Sequence, residues 1–228
     1  MKTRDFRWTQ KGKRVPEVER IFKKMWFYYD FYLEEAKDLP YWSTEMALVG
    51  NMAIAGAWAG FPAALEFYQD KPKKNKRQRA DLWLGFSQSK DVIVEAKCQW
   101  LSWKSKLTYA IVNEPLVSAK RQLDRYLLSV GKKDQPAYCM SNLYTQFWMT
   151  GKDLKKEFSK KFELFISTAN EIAEKERHQI SFLAYYFLVD RKAIKKHPDK
   201  EYGYYYPGVI VWGRIWKPSI SKRKQGKN

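Results

Sequence analysis

Three ionisable residues between Ala80 and Trp100, in ADLWLGFSQSKDVIVEAKCQW, are spaced so that they could do chemistry together: Asp81, Glu95 and Lys97. Residues 80–86 and 91–98 both read as strands, rich in Leu, Trp, Phe, Val and Ile, with Ser87-Gln88-Ser89 as the turn between them. Side chains alternate faces along a strand. Val92, Val94, Ala96 and Cys98 therefore share an apolar face suited to a core. Ile93, Glu95, Lys97 and Gln99 share the other, which sets a carboxylate beside an amine. A hairpin centred on Gln88 places Asp81 directly opposite Glu95. Two carboxylates and a lysine then converge at one sheet edge.

Such a cluster suits a divalent metal. Mg²⁺ prefers oxygen ligands, takes one or two carboxylates and keeps several waters. A bound metal lowers the pKa of its water and polarises a phosphoryl oxygen. An adjacent lysine could position the attacking water or neutralise charge developing on a phosphate. The competing reading is a hairpin whose polar face meets solvent, because Glu-x-Lys is short and recurs by chance. A third carboxylate is available on the helix expected over residues 44–60, for which Ser43 is a credible N-cap. Glu45 sits in its first turn. There it either favours the helix dipole or reaches the metal site from beneath the sheet.

Composition narrows the substrate. The 228 residues include 43 Lys and Arg against 25 Asp and Glu, a formal net charge of +18. A field of that sign attracts polyanions, nucleic acid first and an anionic membrane surface second. Aromatics make 17% of the chain, enough for a substantial core and too many for a long disordered one. Cys98 and Cys139 cannot build a disulfide framework or a zinc cluster, and a reduced intracellular setting follows most simply. With only His178 and His197, histidine-based nuclease motifs have no support. Neither a GxxxxGKS/T loop nor GxGxxG is present, so nucleotide hydrolysis has none either. The N-terminus lacks the apolar segment of a signal peptide.

The remaining elements must hold these residues in place. Residues 1–14 read as a basic, poorly packed arm, and 15–37 as a long amphipathic helix with an aromatic stripe. Residues 44–60 are apolar nearly all round, as in a central buried helix; 46–65 also has the length of a membrane span, against which Asn51, the glycines and Pro62 argue. Residues 61–69 read as a first strand. Residues 71–79, KPKKNKRQR, read as a dense basic loop whose natural use is phosphate binding, with a solvated loop or a localisation-like patch as the alternative. Trp100, Trp103, Lys104 and Lys106 interleave aromatic and basic residues, which could line a nucleic-acid groove or cover the sheet edge. A helix over 116–130 follows Pro115. Then come a strand over 137–149, a charged helix over 153–177, a strand over 179–190, and 204–216 as a last strand or a strand pair bent at Pro207-Gly208. A basic, frayed tail over 219–228 closes the chain.

The order helix with Glu45, strand, strand with Asp81, strand with Glu95-Ala96-Lys97, helix with Gln122 and Tyr126 resembles the restriction-endonuclease-like family, the PD-(D/E)XK nucleases. Asp81 matches its motif aspartate, Glu95 and Lys97 its (D/E)XK pair, and Glu45 the acid of its first core helix. Glu34, Glu35 and Glu66 are rivals for that last role. SAKRQLDRY, residues 118–126, resembles the helix after the motif. Ala80 departs from the family, which often has proline there. The resemblance covers residues 43–130. It implies an α/β (α+β) fold with a restriction-endonuclease-like core over about 43–150, a mixed sheet flanked by helices, and N- and C-terminal additions within one domain.

It also implies a metal-dependent DNA endonuclease using Mg²⁺ or Mn²⁺. Asp81, Glu95 and the Ala96 carbonyl would hold the metal, with Glu45 on a second metal or a metal-bound water. Lys97 would orient or activate water. Lys73, Lys74, Lys76, Arg77 and Arg79 would grip the nucleic-acid backbone, with Gln99, Lys104, Lys120 and Gln122 as further contacts. The expected partner is DNA, with RNA also open, rather than a membrane. A homodimer and a cytoplasmic, bacterial or phage setting fit the family. The alternative is a catalytically inactive nucleic-acid-binding protein of the same architecture, since fold does not fix function.

Overall fold

Runs of Val, Ile, Phe and Tyr become seven strands, and runs with helical period become six helices, among the residues described in the computed structural model: 2–41, 44–68, 79–87, 90–130, 135–155, 158–198 and 203–218. In chain order they begin with β1 (Lys2–Trp8), α1 (Pro16–Glu35), α2 (Glu45–Trp58) and β2 (Ala63–Tyr68). Next come β3 (Arg79–Ser87), β4 (Lys90–Ser102), α3 (Tyr109–Ser129) and β5 (Tyr138–Thr150). The last are α4 (Gly151–Lys155), α5 (Phe158–Lys175), β6 (Phe182–Leu188), α6 (Arg191–Lys195) and β7 (Tyr204–Trp216).

All seven strands join one mixed α/β sheet in the order β1-β6-β7-β5-β4-β3-β2. Only β4 and β5 are parallel neighbours, and α3 makes the crossover between them that a parallel pair requires. The alternation along β4 sorts the layers. Val92, Val94 and Ala96 join the main core, to which α1 and α2 contribute Phe22, Met25, Tyr29, Leu48 and Met52. Ile93 lies on the opposite face, with Leu123, Tyr126 and Leu127 of α3 and Cys139 of β5. α5 covers that second face further along: Phe165 lies 4.9 Å from Phe147, and Phe162 lies 5.1 Å from Phe187. β6 is buried at every position, as a central strand covered on both faces should be.

Three sequence expectations change. The arm expected over 1–14 is edge strand β1, paired with β6 from Lys2 opposite Leu188 to Trp8 opposite Phe182. Phe6 stacks on Phe182 at 5.0 Å while Arg4 pairs with Asp30 and Lys2 with Asp30 and Glu34. The charges that suggested a loose tail blunt an exposed edge. The helix expected from 116 begins at Tyr109, with Pro115 inside it and Val112 and Leu116 buried. The helical stretch expected from 153 begins at Gly151, with α4 and α5 on either side of residues 156–157, which lie outside the described residues; in the first turn of α4, Asp153 accepts bonds from the Thr150 N–H and hydroxyl. Of the two readings of 204–216 the single strand holds: β7 runs through Pro207-Gly208, and its pairing with β5 shifts register between Phe147 and Met149.

The stretch 46–65 is not a spanning helix. α2 ends in a Schellman motif, with Phe61 N–H bonded to the Gly56 carbonyl and Gly60 N–H to that of Ala57, both at 2.9 Å. Gly60 takes φ +82°, where a side chain would strain the backbone, and the chain turns into β2. Among the described residues no helix is long and apolar enough to cross a membrane. Ser43, the expected cap, lies outside the described residues; Thr44 accepts the Ala47 N–H at 3.4 Å in that role.

Gly208 is one place where β6 leaves β7 no room for a side chain. A Cβ there would stand 2.3 Å from the Tyr186 carbonyl oxygen and 2.5 Å from the Phe187 ring. Gly208→Ala should destabilise the fold by about 1–3 kcal/mol, read as a lower urea midpoint. An unchanged midpoint would mean that the strand gives way at no cost.

Candidate active site

The site opens where β3 leaves β4. The two strands pair from Ser87 opposite Lys90 to Leu82 opposite Val94, and that register carries Asp81 opposite Glu95 as the sequence anticipates. Beyond Leu82 the ladder stops, although β3 stays paired with β2 out to Arg79. β4 stays paired with β5 from Val92 to Ser102. One side of β4 past Val94 thus lacks a strand, and side chains take its backbone donors. Ala96 N–H donates to Asp81 Oδ2 at 2.8 Å. Cys98 N–H donates to Glu45 Oε2 at 3.2 Å. Like charges facing each other across a ladder disfavour continued pairing, and Asp81 and Glu95 are such a pair.

Lys97 sits at the centre. Its Nζ donates to Glu95 Oε1 at 3.0 Å, to the Ala96 carbonyl at 2.8 Å and to Glu45 Oε1 at 3.4 Å. A helix from one side of the sheet, a strand end and a strand centre therefore deliver Glu45, Asp81, Glu95 and Lys97 to one cleft of about 310 Å³. Arg79, Gln122 and Arg125 complete its lining. Gln122 and Arg125 stand three positions apart on α3, a spacing that shares a helix face, while Leu123 and Tyr126 between and beyond them are buried.

Glu95 is 4% exposed. Burial raises its carboxyl from 4.5 to about 7, the Asp81 charge adds to the rise, and Lys97 opposes it. The Lys97 ammonium is pulled down by burial, but Glu95, Glu45 and Asp81 outweigh that and hold it above its ordinary value. Lys97 is thus a cation here, not a free base.

Of the three rivals to Glu45, Glu66 pairs with Arg79 at 2.8 Å and Glu34 with Lys2 at 3.0 Å, and neither they nor Glu35 line the cleft. Arg79, expected in a loop, belongs to β3 and does line it. Lys73, Lys74, Lys76 and Arg77 lie outside the described residues. Gln99 stands apart, donating to Thr145 Oγ1 at 2.8 Å. Lys104 follows the end of β4 and pairs with Asp153 at 3.4 Å. Lys120 pairs with Asp124 and places its ammonium 5.3 Å from the Trp216 ring centre. Trp103 lines no groove: it is 2% exposed and stacks 5.1 Å from Phe158. Arg125 is the residue that sequence reasoning passed over. Its signal was its place three residues after Gln122, on the face opposite the apolar stripe.

The donor set fits Mg²⁺ or Mn²⁺. Among the described residues, no three His, Cys, Asp or Glu side chains form a ready-made cage. Mg²⁺ does not ask for one, since it takes one or two carboxylates and keeps its waters. A buried carboxyl held at about 7 by burial and a neighbouring carboxylate is a group that a dication would relieve. Compared with known proteins, the chain matches no family model, no curated protein and no solved structure.

Proposed function

We propose that the protein is a Mg²⁺- or Mn²⁺-dependent nuclease of the PD-(D/E)XK, restriction-endonuclease-like class, hydrolysing phosphodiester bonds in DNA. The observation that carries this reading is the divergence of β3 from β4, which lines one cleft with Asp81, Glu95, Lys97 and Glu45. The element order α2-β2-β3-β4-α3-β5 is that of the core the sequence resembles. The charge of +18 supports a polyanionic substrate.

Asp81, Glu95 and the Ala96 carbonyl would hold the metal, with Glu45 beside them. The metal, when bound, supplies an acidified water and neutralises charge on the phosphate. Lys97 stays protonated, so its part is to orient that water and to offset developing negative charge. Gln122 and the basic residues draw the backbone in. Asp81 Oδ2 also accepts the Ala96 N–H, which holds that carboxylate against β4 beside Glu95.

The test is incubation of the purified protein with labelled DNA and RNA of single-stranded, duplex and branched form, with Mg²⁺ or Mn²⁺. Cleavage is expected for DNA and is expected to disappear in Asp81→Ala and Glu95→Ala. Binding without cleavage of any member of the panel would sink the enzymatic reading and leave the non-catalytic binder. Binding should weaken steeply with salt, because released counterions drive it.

A further inference from the structure

Glu66 is a carboxylate that the proposed chemistry does not use, held on the cleft-lining Arg79, and its backbone is unusual. β2 pairs Leu65 with Leu82 and Phe67 with Ala80, so Glu66 faces Asp81 across the ladder. That pair is not formed. Glu66 instead takes φ +48°, a conformation L residues rarely adopt. Its Oε1 meets Arg79 Nη1 at 2.8 Å. A regular strand would have set a fourth carboxylate against Asp81; the turned backbone puts it on a guanidinium of the cleft lining instead. From α3, Arg125 lines the same cleft, is exposed, and has no carboxylate within ion-pair distance among the described residues. A guanidinium presents a planar fork that suits phosphate oxygens.

We propose that Arg125 and Arg79 form a phosphate-binding bracket in this cleft for a nucleic-acid backbone, and that Glu66 restrains it by competing with the phosphate for Arg79. The inference rests on the cleft being a nucleic-acid site, but not on hydrolysis taking place there. Arg125 meets the backbone at once. Arg79 must exchange Glu66 for phosphate, so Glu66 lowers affinity for loosely held polyanions.

The experiment measures binding of a 5′-labelled oligonucleotide, single-stranded and duplex, by anisotropy over a range of salt, with Ca²⁺ in place of Mg²⁺. Arg125→Ala should bind about tenfold more weakly and lose about one from the salt slope. Arg121→Ala, an exposed neighbour on α3 outside the cleft, should lose clearly less. Glu66→Gln should bind about threefold more tightly, and that gain should vanish when Arg79→Ala is added. Equal losses from Arg125→Ala and Arg121→Ala, or a Glu66→Gln gain that survives without Arg79, would overturn the bracket. So would a wild-type protein that binds neither oligonucleotide. Binding with this pattern but no cleavage in Mg²⁺ would uphold the bracket while removing the nuclease reading.

Discussion

Lys97→Ala should lower DNA cleavage by about 10³-fold and leave oligonucleotide binding nearly intact. The ammonium touches Glu95, Glu45 and the Ala96 carbonyl at once. It is only 21% exposed, so it contributes little to the outer field that captures polyanions. The carboxylates around it keep it protonated, which excludes it as a general base in this state. What its removal takes away is a fixed positive charge beside the reacting phosphate, a term that matters in the transition state far more than in binding. Lys97→Arg should not restore the rate, because a planar fork cannot replace a compact ammonium among three close acceptors. Initial rates with Mg²⁺, set beside binding in Ca²⁺, separate the two effects. Undiminished cleavage by Lys97→Ala would rule out the assigned role.

The hairpin and its acids were legible from spacing because strand geometry leaves little freedom. Alternation sorted Glu95 and Lys97 from Val94 and Ala96, and a turn at Gln88 set Asp81 against Glu95, as the register bears out. The separation of β3 from β4 was not legible. It leaves the Ala96 and Cys98 N–H groups to the side chains of Asp81 and Glu45, and the second arrives from α2 in a tertiary contact that no local pattern encodes. Pro115 marked a helix start for the same reason in reverse: local rules place proline in the first turn, whereas packing of Val112 and Leu116 extends the helix to Tyr109. Charge misled at both ends of its range. The basic run at the N-terminus hid an edge strand held by Phe6 and Trp8. Lys104 and Lys120, expected as phosphate contacts, pair with Asp153 and Asp124 outside the cleft lining. Interleaved Trp and Lys residues also suggested a groove where Trp103 fills the core under α5.

Glu95→Gln should abolish cleavage and at the same time stabilise the metal-free fold at neutral and alkaline pH. Burial, then the Asp81 charge, holds the Glu95 carboxyl at about 7 against an ordinary 4.5. The folded state therefore grips this proton more tightly than the unfolded chain does. Its contribution is complete below 4.5, where both states are protonated, and is lost as pH rises from there through 7. Each pH unit is worth about 1.4 kcal/mol, so the loss across the window approaches about 3 kcal/mol. Lys97, also held above its ordinary value, adds a loss of the same sign only above pH 10 or so. Glutamine keeps the shape of the protonated acid and has nothing to ionise. The urea midpoint of the variant should thus stay flatter than that of the wild type between about pH 5 and about pH 8, and exceed it at the upper end. Mg²⁺ should act in the opposite sense on the wild type alone. Coordination needs the ionised carboxylate, so the stabilisation it gives should grow through the same window. Parallel pH profiles for the two proteins would show that Glu95 is not strained by its burial, and equal stabilisation by Mg²⁺ that it is not a ligand. On the proposed reading the fold accepts this cost because a carboxylate buried beside a second acid is a group that a bound dication would neutralise.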